Sequence, residues 1–174
     1  ATAQTLVANV ALASDITAGS GKTTMIGGAV ASVFHGNNLG GSFFGQGAAD
    51  TYIGGSGDDT YGIANAGATI IEAPGGGHDV AIVTVNGWTA ADNIEVVVLG
   101  GAANAVNLGS SGAIVVANPG MGSFASAIAG ENYFFGGAGA DNFSGGSGRD
   151  VFFGGTGATV MTGNGGDDTY VISN

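Results

Sequence analysis

The chain has no cysteine, only two prolines and only two basic residues among its 174 residues. The absence of cysteine excludes a disulfide framework and any thiolate metal site. Because Lys22 and Arg149 are the only Lys and Arg residues, the formal net charge is -11, which would repel nucleic acid and anionic membrane surfaces. No apolar run approaches the ~20 residues that span a bilayer, so we expect no membrane insertion. An acidic surface of this kind favours cations.

Glycine, in contrast, is abundant, with 37 residues. Hydrophobic residues make up 44% of the chain and the mean hydropathy is +0.35, which is too apolar for a disordered glycine-rich linker. Many tight turns must therefore alternate with short buried segments. This combination is typical of a repeat protein.

Nine-residue units repeat in two stretches of the chain. Residues 18–62 read AGSGKTTMI, GGAVASVFH, GNNLGGSFF, GQGAADTYI and GGSGDDTYG, and residues 136–171 read GGAGADNFS, GGSGRDVFF, GGTGATVMT and GNGGDDTYV. The first position is nearly always Gly and the eighth is large and apolar. Six residues rich in Gly, Asn and Asp favour a tight turn, and the following x-apolar-x triplet favours a short strand whose middle side chain points inward.

Two units would form one coil of ~18 residues, and successive coils would stack at the ~4.8 Å strand spacing. Side chains eighteen residues apart should then lie in ladders inside the coils. The predicted ladders are Met25–Phe43–Tyr61, Phe34–Tyr52, Phe134–Phe152–Tyr170 and Phe143–Met161. The sequence therefore predicts an all-β fold of stacked coils, a β-solenoid, in a single domain that covers residues 1–174.

Between the two arrays the nine-residue register weakens. Residues 63–108 fit it only with insertions, and we interpret them as wider, irregular spacer coils capped by Trp88. Residues 109–135 are interpreted as degenerate repeats that place Val116 and Phe134 inward. The predicted organisation is a first array at 18–62, spacer coils at 63–108, degenerate repeats at 109–135 and a second array at 136–171.

The units GGSGDDTYG, GGAGADNFS, GGSGRDVFF and GNGGDDTYV resemble the RTX, or hemolysin-type calcium-binding, repeat family, whose nonapeptide is G-G-x-G-x-D-x-U-x. The central segments Ile-Glu, Gly-Gly-Gly-His-Asp-Val and Asn-Ile-Glu are similar to a spacer of that family. The resemblance implies a right-handed parallel β-roll whose turns hold Ca²⁺ between adjacent coils, through sixth-position aspartates and loop carbonyls. It also implies type I secretion and folding in extracellular calcium, and a start without a basic signal-peptide segment is compatible with that route.

A calcium site of this kind needs acidic groups on neighbouring coils, so the sixth positions are compared about eighteen residues apart. The comparison predicts two complete sites, at Asp150/Asp168 and Asp59/Asp79, the second across a spacer coil that is two residues longer. It predicts partial sites at Asp50 and Asp141. The resemblance implies further ligands from the same turns, namely Gly146, Gly148, Asn164, Gly166, Gly55 and Gly57.

No active site is predicted, and we expect that the chain is not an enzyme. Glu72, Glu95 and Glu131 are scattered along the sequence and suggest no catalytic pair. His35 and His78 have no convergent partners in view. We therefore expect a roll held largely by its apolar ladders, with calcium locking selected turns.

The expected function is that of an extracellular, calcium-binding structural protein. The second array runs almost to the end of the chain with no polar cap in view, which favours self-association of the open solenoid ends into a surface layer, matrix or filament. An alternative is a calcium-dependent folding and export module of a larger secreted enzyme, toxin or adhesin. A further alternative is a carbohydrate- or ice-binding surface on a flat face of the roll.

Overall fold

A computed structural model describes residues 2–8 and 11–172, and these residues form nineteen strands and no helix. None of them therefore provides a helix long and apolar enough to cross a membrane. The strands are β1 (Gln4–Val7), β2 (Asp15–Thr17), β3 (Thr23–Ile26), β4 (Val33–His35), β5 (Gly41–Phe44), β6 (Thr51–Ile53), β7 (Thr60–Ile63), β8 (Thr69–Ile71), β9 (Val80–Val83), β10 (Trp88–Thr89), β11 (Val96–Leu99), β12 (Ala105–Asn107), β13 (Ile114–Val116), β14 (Phe124–Ser126), β15 (Tyr133–Phe135), β16 (Asp141–Gly146), β17 (Val151–Phe153), β18 (Thr159–Asn164) and β19 (Thr169–Val171).

The strands stack as a β-solenoid of about 9 turns of ~18 residues. The odd-numbered strands form one ten-stranded sheet, in the order β1-β3-β5-β7-β9-β11-β13-β15-β17-β19. The even-numbered strands form a four-stranded sheet, β2 to β8, and a five-stranded sheet, β10 to β18. Each coil thus contributes one strand to each face, and the paired strands are parallel. The predicted all-β parallel solenoid is confirmed.

The spacing between paired residues changes in the centre of the roll. Thr60 pairs with Val80, twenty residues on, and Val80 pairs with Val96, only sixteen residues on. A longer coil, as the sequence predicted, is therefore followed by a shorter one. On the opposite face β8 and β10 are not neighbours in one sheet, and buried Trp88 lies there with its indole N–H donating to the Ala68 carbonyl at 2.9 Å.

The predicted ladders form the core, except that Tyr170 is 47% exposed and Met161 is only partly buried. Ring centroids lie 5.0 Å apart for Phe43–Tyr61 and 4.9 Å apart for Phe134–Phe152. Phe34–Tyr52 and Phe152–Tyr170 also stack, and Phe143 pairs with Met161 across neighbouring strands. Such aromatic pairs contribute about 0.5–1.5 kcal/mol beyond the burial of their surface. The ladder therefore runs through both arrays, and the hydroxyl groups of Tyr52 and Tyr61 donate from it to Asp50 and Glu72.

One predicted inward residue, Val116, is wrong by a single position. Val115 is fully buried and Val116 is 37% exposed, while Phe134 is buried as predicted. The reason is that Ile114 pairs with Tyr133, so this coil holds nineteen residues instead of eighteen. Because side chains alternate along a strand, a one-residue insertion in the turn moves the inward position from Val116 to Val115.

Candidate metal sites on one edge of the roll

The turns form two rows, one along each edge of the roll. In the first row, here called the neutral edge, the chain passes from the ten-stranded sheet to the opposite face. In the second row, here called the acidic edge, it passes back. Of the thirteen acidic residues, ten lie in the acidic edge, and the neutral edge has only Asp50 and Asp141. The ten are Asp58, Asp59, Glu72, Asp79, Asp92, Glu95, Glu131, Asp150, Asp167 and Asp168.

Carboxylates in the central part of the acidic edge are tied to the preceding coil by backbone hydrogen bonds. The Gly41 N–H donates to Asp59 Oδ1 at 2.6 Å, and the Asp59 N–H donates to Asp79 Oδ1 at 2.8 Å. The Asp79 N–H in turn donates to Glu95 Oε2 at 2.7 Å. Each of these bonds uses one carboxylate oxygen and leaves the other to be satisfied elsewhere.

Asp59, Glu72 and Asp79 converge on one point at this edge. Each offers a carboxylate oxygen, and the three oxygens lie within 4.8 Å of one another. Asp59 and Asp79 are each 1% exposed. Within the described residues, Asp59 Oδ2 and Glu72 Oε2 are buried without a hydrogen-bond partner, while Glu72 Oε1 accepts the phenolic hydrogen of Tyr61. Buried acceptors without donors are costly, and oxygen atoms in this arrangement suit a hard cation such as Ca²⁺.

The three acids of this cluster resist ionisation, because the pKa of each is raised above its ordinary value. Burial raises the pKa of Asp59 to about 6, against the Gly41 hydrogen bond and with added repulsion from Asp79. Burial raises the pKa of Glu72 to about 7, against the Tyr61 hydrogen bond and with added repulsion from Asp79. The pKa of Asp79 is also raised, first by burial. A proton or a cation is therefore needed to neutralise the cluster.

Asp150 and Asp168 lie on neighbouring coils of the second array, as predicted. The Asn132 N–H donates to Asp150 Oδ1 at 2.9 Å, and the Asp150 N–H donates to Asp168 Oδ1 at 3.0 Å. Asp150 is fully buried, its Oδ2 has no hydrogen-bond partner within the described residues, and burial raises its pKa. This pair therefore presents the same unpaired acceptor as the Asp59 cluster.

The first-position glycines of the second array make room for these carboxylates. A Cβ on Gly145 would collide with Asp150 Oδ2, and a Cβ on Gly163 would collide with Asp168 Oδ2. The Gly requirement at this position thus follows from the acid at the sixth position and not from the turn alone.

The other predicted turn residues surround the two carboxylate pairs. Gly146 and Gly166 each have a φ of +114°, and Asn164, opposite Gly146, has a φ of +73°. Gly55, Gly57 and Gly148 lie so close to the backbone of the preceding coil that a Cβ would collide with it. The structure thus brings these residues to the coil–coil contacts, and their role as calcium ligands stays a prediction.

The predicted partial sites are different. Asp50 Oδ1 accepts the Ser32 N–H at 2.8 Å, and its Oδ2 accepts the Tyr52 hydroxyl at 3.5 Å. Asp141 accepts the N–H groups of Ser123 and Gly137, both at 2.8 Å, through its two oxygens. Each carboxylate already has a donor for both oxygens, and the structure does not bring a second acid to either one.

Sequence reasoning missed Glu72 as a site residue. Glu72 lies eighteen residues after Gly54, at the first position of a nine-residue unit, and a Cβ on Gly54 would collide with Glu72 Oε1. The Glu72 side chain therefore occupies the space that Gly54 leaves open. An acid at a first position that follows a Gly one coil earlier is the signal that could have identified it.

Comparison with protein families supports the metal chemistry. The model of the RTX calcium-binding nonapeptide repeat matches the chain in four copies, over residues 42–61 and 127–161. These segments contain Asp59 and Asp150, the two aspartates that have an unpaired buried oxygen among the residues that the structure describes. No curated protein and no solved structure matches the chain. The repeats imply that Ca²⁺ is the ion bound.

Proposed function

We propose that this chain, whose nine-residue units are RTX calcium-binding repeats, is an extracellular structural β-roll that calcium locks along its acidic edge. One observation carries the proposal. On that edge, carboxylate oxygens of Asp59, Glu72 and Asp150 are buried without a hydrogen-bond donor among residues 2–8 and 11–172. Ca²⁺ supplies what such oxygens lack, because it binds six to eight oxygen ligands from carboxylates and backbone carbonyls.

In this proposal the ion acts as a clamp between coils. Two unit charges ~4.8 Å apart repel each other by roughly 3–4 kcal/mol at an effective dielectric constant near 20. Asp59, Glu72 and Asp79 would hold one ion, and Asp150 with Asp168 would hold another. Neutralising these groups favours the folded roll, and the stabilisation grows with calcium concentration because the unfolded chain has no assembled site.

The role is proposed to be structural and not catalytic. The aspartates of the two sites already accept backbone N–H groups from neighbouring coils, which commits them to coil–coil contacts. The ladders Met25–Phe43–Tyr61 and Phe134–Phe152–Tyr170 supply stability that needs no ion. Calcium is therefore expected to lock the acidic edge of a roll whose core is apolar.

The experiment is a calcium titration by calorimetry, combined with thermal unfolding in calcium and in excess chelator. Glu72→Gln should weaken one site by at least about tenfold, because it removes one of three carboxylates. Glu131→Gln is the matched control, since Glu131 is an exposed acid of the same edge that pairs with Arg149. A wild-type chain that binds no calcium, or a Glu72→Gln chain that binds as the wild type does, would overturn the proposal.

The extracellular setting is supported by the repeats, since RTX repeat proteins are typically secreted. Extracellular calcium modules bind with dissociation constants of roughly 10⁻⁴–10⁻³ M, in a compartment where the ion is abundant. The same sites would serve the alternative function, a calcium-dependent folding and export module of a larger secreted protein. Small-angle scattering in chelator separates the two functions. Loosening confined to the acidic edge supports the structural roll, whereas expansion of the whole chain supports the module.

Self-assembly is the second candidate function, and it is favoured by the outward face of the ten-stranded sheet. No outward side chain of the described strands of this sheet is charged. Each strand of this sheet from β9 to β17 points two side chains outward, and all of these are apolar or aromatic. Phe135 and Phe153 stack outside the core, with ring centroids 4.6 Å apart. A second copy of the chain is the occupant that fits, since two chains of net charge -11 could approach closely only through an uncharged face.

The size of this face is compatible with such a pair. Ten strands at ~4.8 Å spacing extend over about 43 Å, so two copies would bury about 1,000 Å² in all, near the lower bound for a specific interface. Sedimentation velocity in calcium tests whether two copies pair through this face. Phe135→Lys is the test variant, and Thr89→Lys, at an exposed strand position on the other face, is the control. Dimers or larger species that Phe135→Lys alone abolishes would support it. A wild-type monomer at about 100 μM would exclude it, since an interface of useful affinity is populated at that concentration.

A further inference from the structure

Asn132, Asp150 and Asp168 occupy the sixth position of their nine-residue units on three successive coils. This set is here called the column, and Asn132 is its first member. Its amide nitrogen Nδ2 donates to Asp150 Oδ1 at 2.8 Å. The same nitrogen lies 3.2 Å from the carbonyl oxygens of Ala129 and Gly130 and 3.4 Å from that of Gly145. Four oxygen atoms from two adjacent coils thus surround one neutral NH₂ group.

The next contact in this column, between Asp150 and Asp168, lacks such a donor group. Asp168 lies one coil beyond Asp150, just as Asp150 lies one coil beyond Asn132. Its carboxylate offers only hydrogen-bond acceptors. The Asp150 N–H satisfies Asp168 Oδ1, but Asp150 Oδ2 has no donor within the described residues. Between Asn132 and Asp150 a donor faces acceptors, whereas between Asp150 and Asp168 acceptors face acceptors. Only the second arrangement needs a cation.

Asparagines in three other turns also join neighbouring coils through Nδ2, although their acceptors are carbonyl oxygens alone. Nδ2 of Asn37 donates to the carbonyls of Gly19 at 2.6 Å and Gly21 at 2.8 Å. The corresponding acceptors are the carbonyls of Gly101 and Ala103 for Asn118, and that of Gly47 for Asn65. In each turn Oδ1 accepts the N–H two residues further on. The amide therefore joins one coil to the carbonyls of the coil before it.

We propose that the Asn132 amide takes the place of calcium between its two coils, so that Asn or Asp at positions 132 and 150 determines whether the contact with the next coil binds an ion. The inference rests on the proposed function, because it assigns calcium to the turns that lack an amide. An NH₂ group satisfies two carbonyl or carboxylate oxygens and adds no negative charge, so a bridged turn offers a cation fewer free oxygens and less negative charge than a turn that carries Asp. Asp and Asn have nearly the same shape, and the exchange therefore tests chemistry and not packing.

The test is a pair of reciprocal substitutions, read by calorimetric stoichiometry and by Tm in calcium and in chelator. Asn132→Asp should bind one more calcium ion per molecule than the wild type and show a larger Tm difference between calcium and chelator. Asp150→Asn should bind one ion fewer and show a smaller difference, because an amide then faces Asp168. Asn107→Asp is the control, since it adds the same charge on the exposed surface of β12.

The outcomes separate this inference from the proposed function. If the wild type binds calcium and Asn132→Asp binds only the wild-type number of ions, the inference falls and the function stands. If Asn132→Asp does not fold, Asp150→Asn decides, and an unchanged calcium dependence in that variant overturns the inference. A wild-type chain that binds no calcium overturns both.

Discussion

The acidic and the neutral edge are built from similar turns, but they differ in the hydrogen-bond partners of their carboxylate oxygens. On the neutral edge, Asp50 and Asp141 each find protein donors for both oxygens. On the acidic edge, Asp59 and Asp150 each accept a backbone N–H through one oxygen, and the other oxygen has no hydrogen-bond partner in the described part of the chain. Turns of similar sequence are thus complete on one edge and dependent on an ion or a proton on the other.

This difference shows that a sixth-position acid is not by itself a metal ligand. On both edges Oδ1 of such an acid accepts an N–H from the preceding coil, as Asp50 does from Ser32 and Asp59 from Gly41. The surroundings of the second oxygen decide its chemistry. A nearby N–H, such as that of Gly137, completes the carboxylate, whereas a second acid leaves an acceptor pair that only a positive group can satisfy.

The largest expected effect is a pH-dependent response to calcium. Burial raises the pKa of Asp59 to about 6 and that of Glu72 to about 7, so the folded chain binds protons more tightly than the unfolded chain does. Stability in chelator should therefore fall as the pH rises from about 4 to 7, by roughly 3 kcal/mol for Asp59 alone. That figure corresponds to a Tm decrease of about 10 °C in a chain of this size.

Calcium should remove most of that decrease, because the ion replaces the lost protons. Differential scanning calorimetry between pH 5 and pH 8, with calcium and with chelator, measures both slopes. Glu72→Gln should flatten the slope in chelator, and Glu131→Gln should not. A Tm in chelator that rises with pH over this range would show that the buried cluster does not control stability.

The next effect compares one aspartate from each edge. Asp59→Asn replaces an unpaired buried oxygen by an amide donor that faces Glu72 and Asp79, so in chelator it should stabilise the roll by about 1–3 kcal/mol. Asp141→Asn places an NH₂ group against the Gly137 N–H and should destabilise the roll by about 1–2 kcal/mol. Denaturant unfolding in chelator measures the two opposite signs.

Calcium sharpens this comparison. Asp59→Asn should lose most of its calcium-dependent stabilisation, whereas the effect of Asp141→Asn should be equal in calcium and in chelator. Equal signs for the two variants in chelator would mean that the edges do not differ in the way the hydrogen bonds indicate.

Much of the fold follows from the sequence because the nine-residue period fixes which side chains share a ladder. The ladder Met25–Phe43–Tyr61 is in register because eighteen residues separate each member from the next. The period alone is enough to predict this ladder. Val116 shows where this reasoning ends. A nineteen-residue coil carries its extra residue in a turn, and a turn has no hydrophobic period that would reveal the insertion.

The candidate sites were predicted in part, for a related reason. The spacing of sixth positions brings Asp150 to Asp168, and a coil two residues longer brings Asp59 to Asp79. Glu72 comes from a different turn position, and only its contact with the space above Gly54 shows that it joins the cluster. The pairing of each second oxygen depends on turn geometry, which the sequence pattern does not determine.

The smallest expected effect concerns the exposed ion pair of the acidic edge. Arg149 Nε donates to Glu131 Oε1 at 3.1 Å, and the pair lowers the pKa of Glu131 while both side chains stay largely in solvent. Exposed pairs contribute little to stability, so Arg149→Ala should leave the Tm within experimental error. Because Arg149 precedes the buried Asp150, its removal should raise calcium affinity by less than about fivefold at low salt and not at all at 0.5 M salt. Calorimetry at the two salt concentrations measures this rise. A large or salt-independent rise would mean that Arg149, and not only calcium, neutralises the buried acids of this edge.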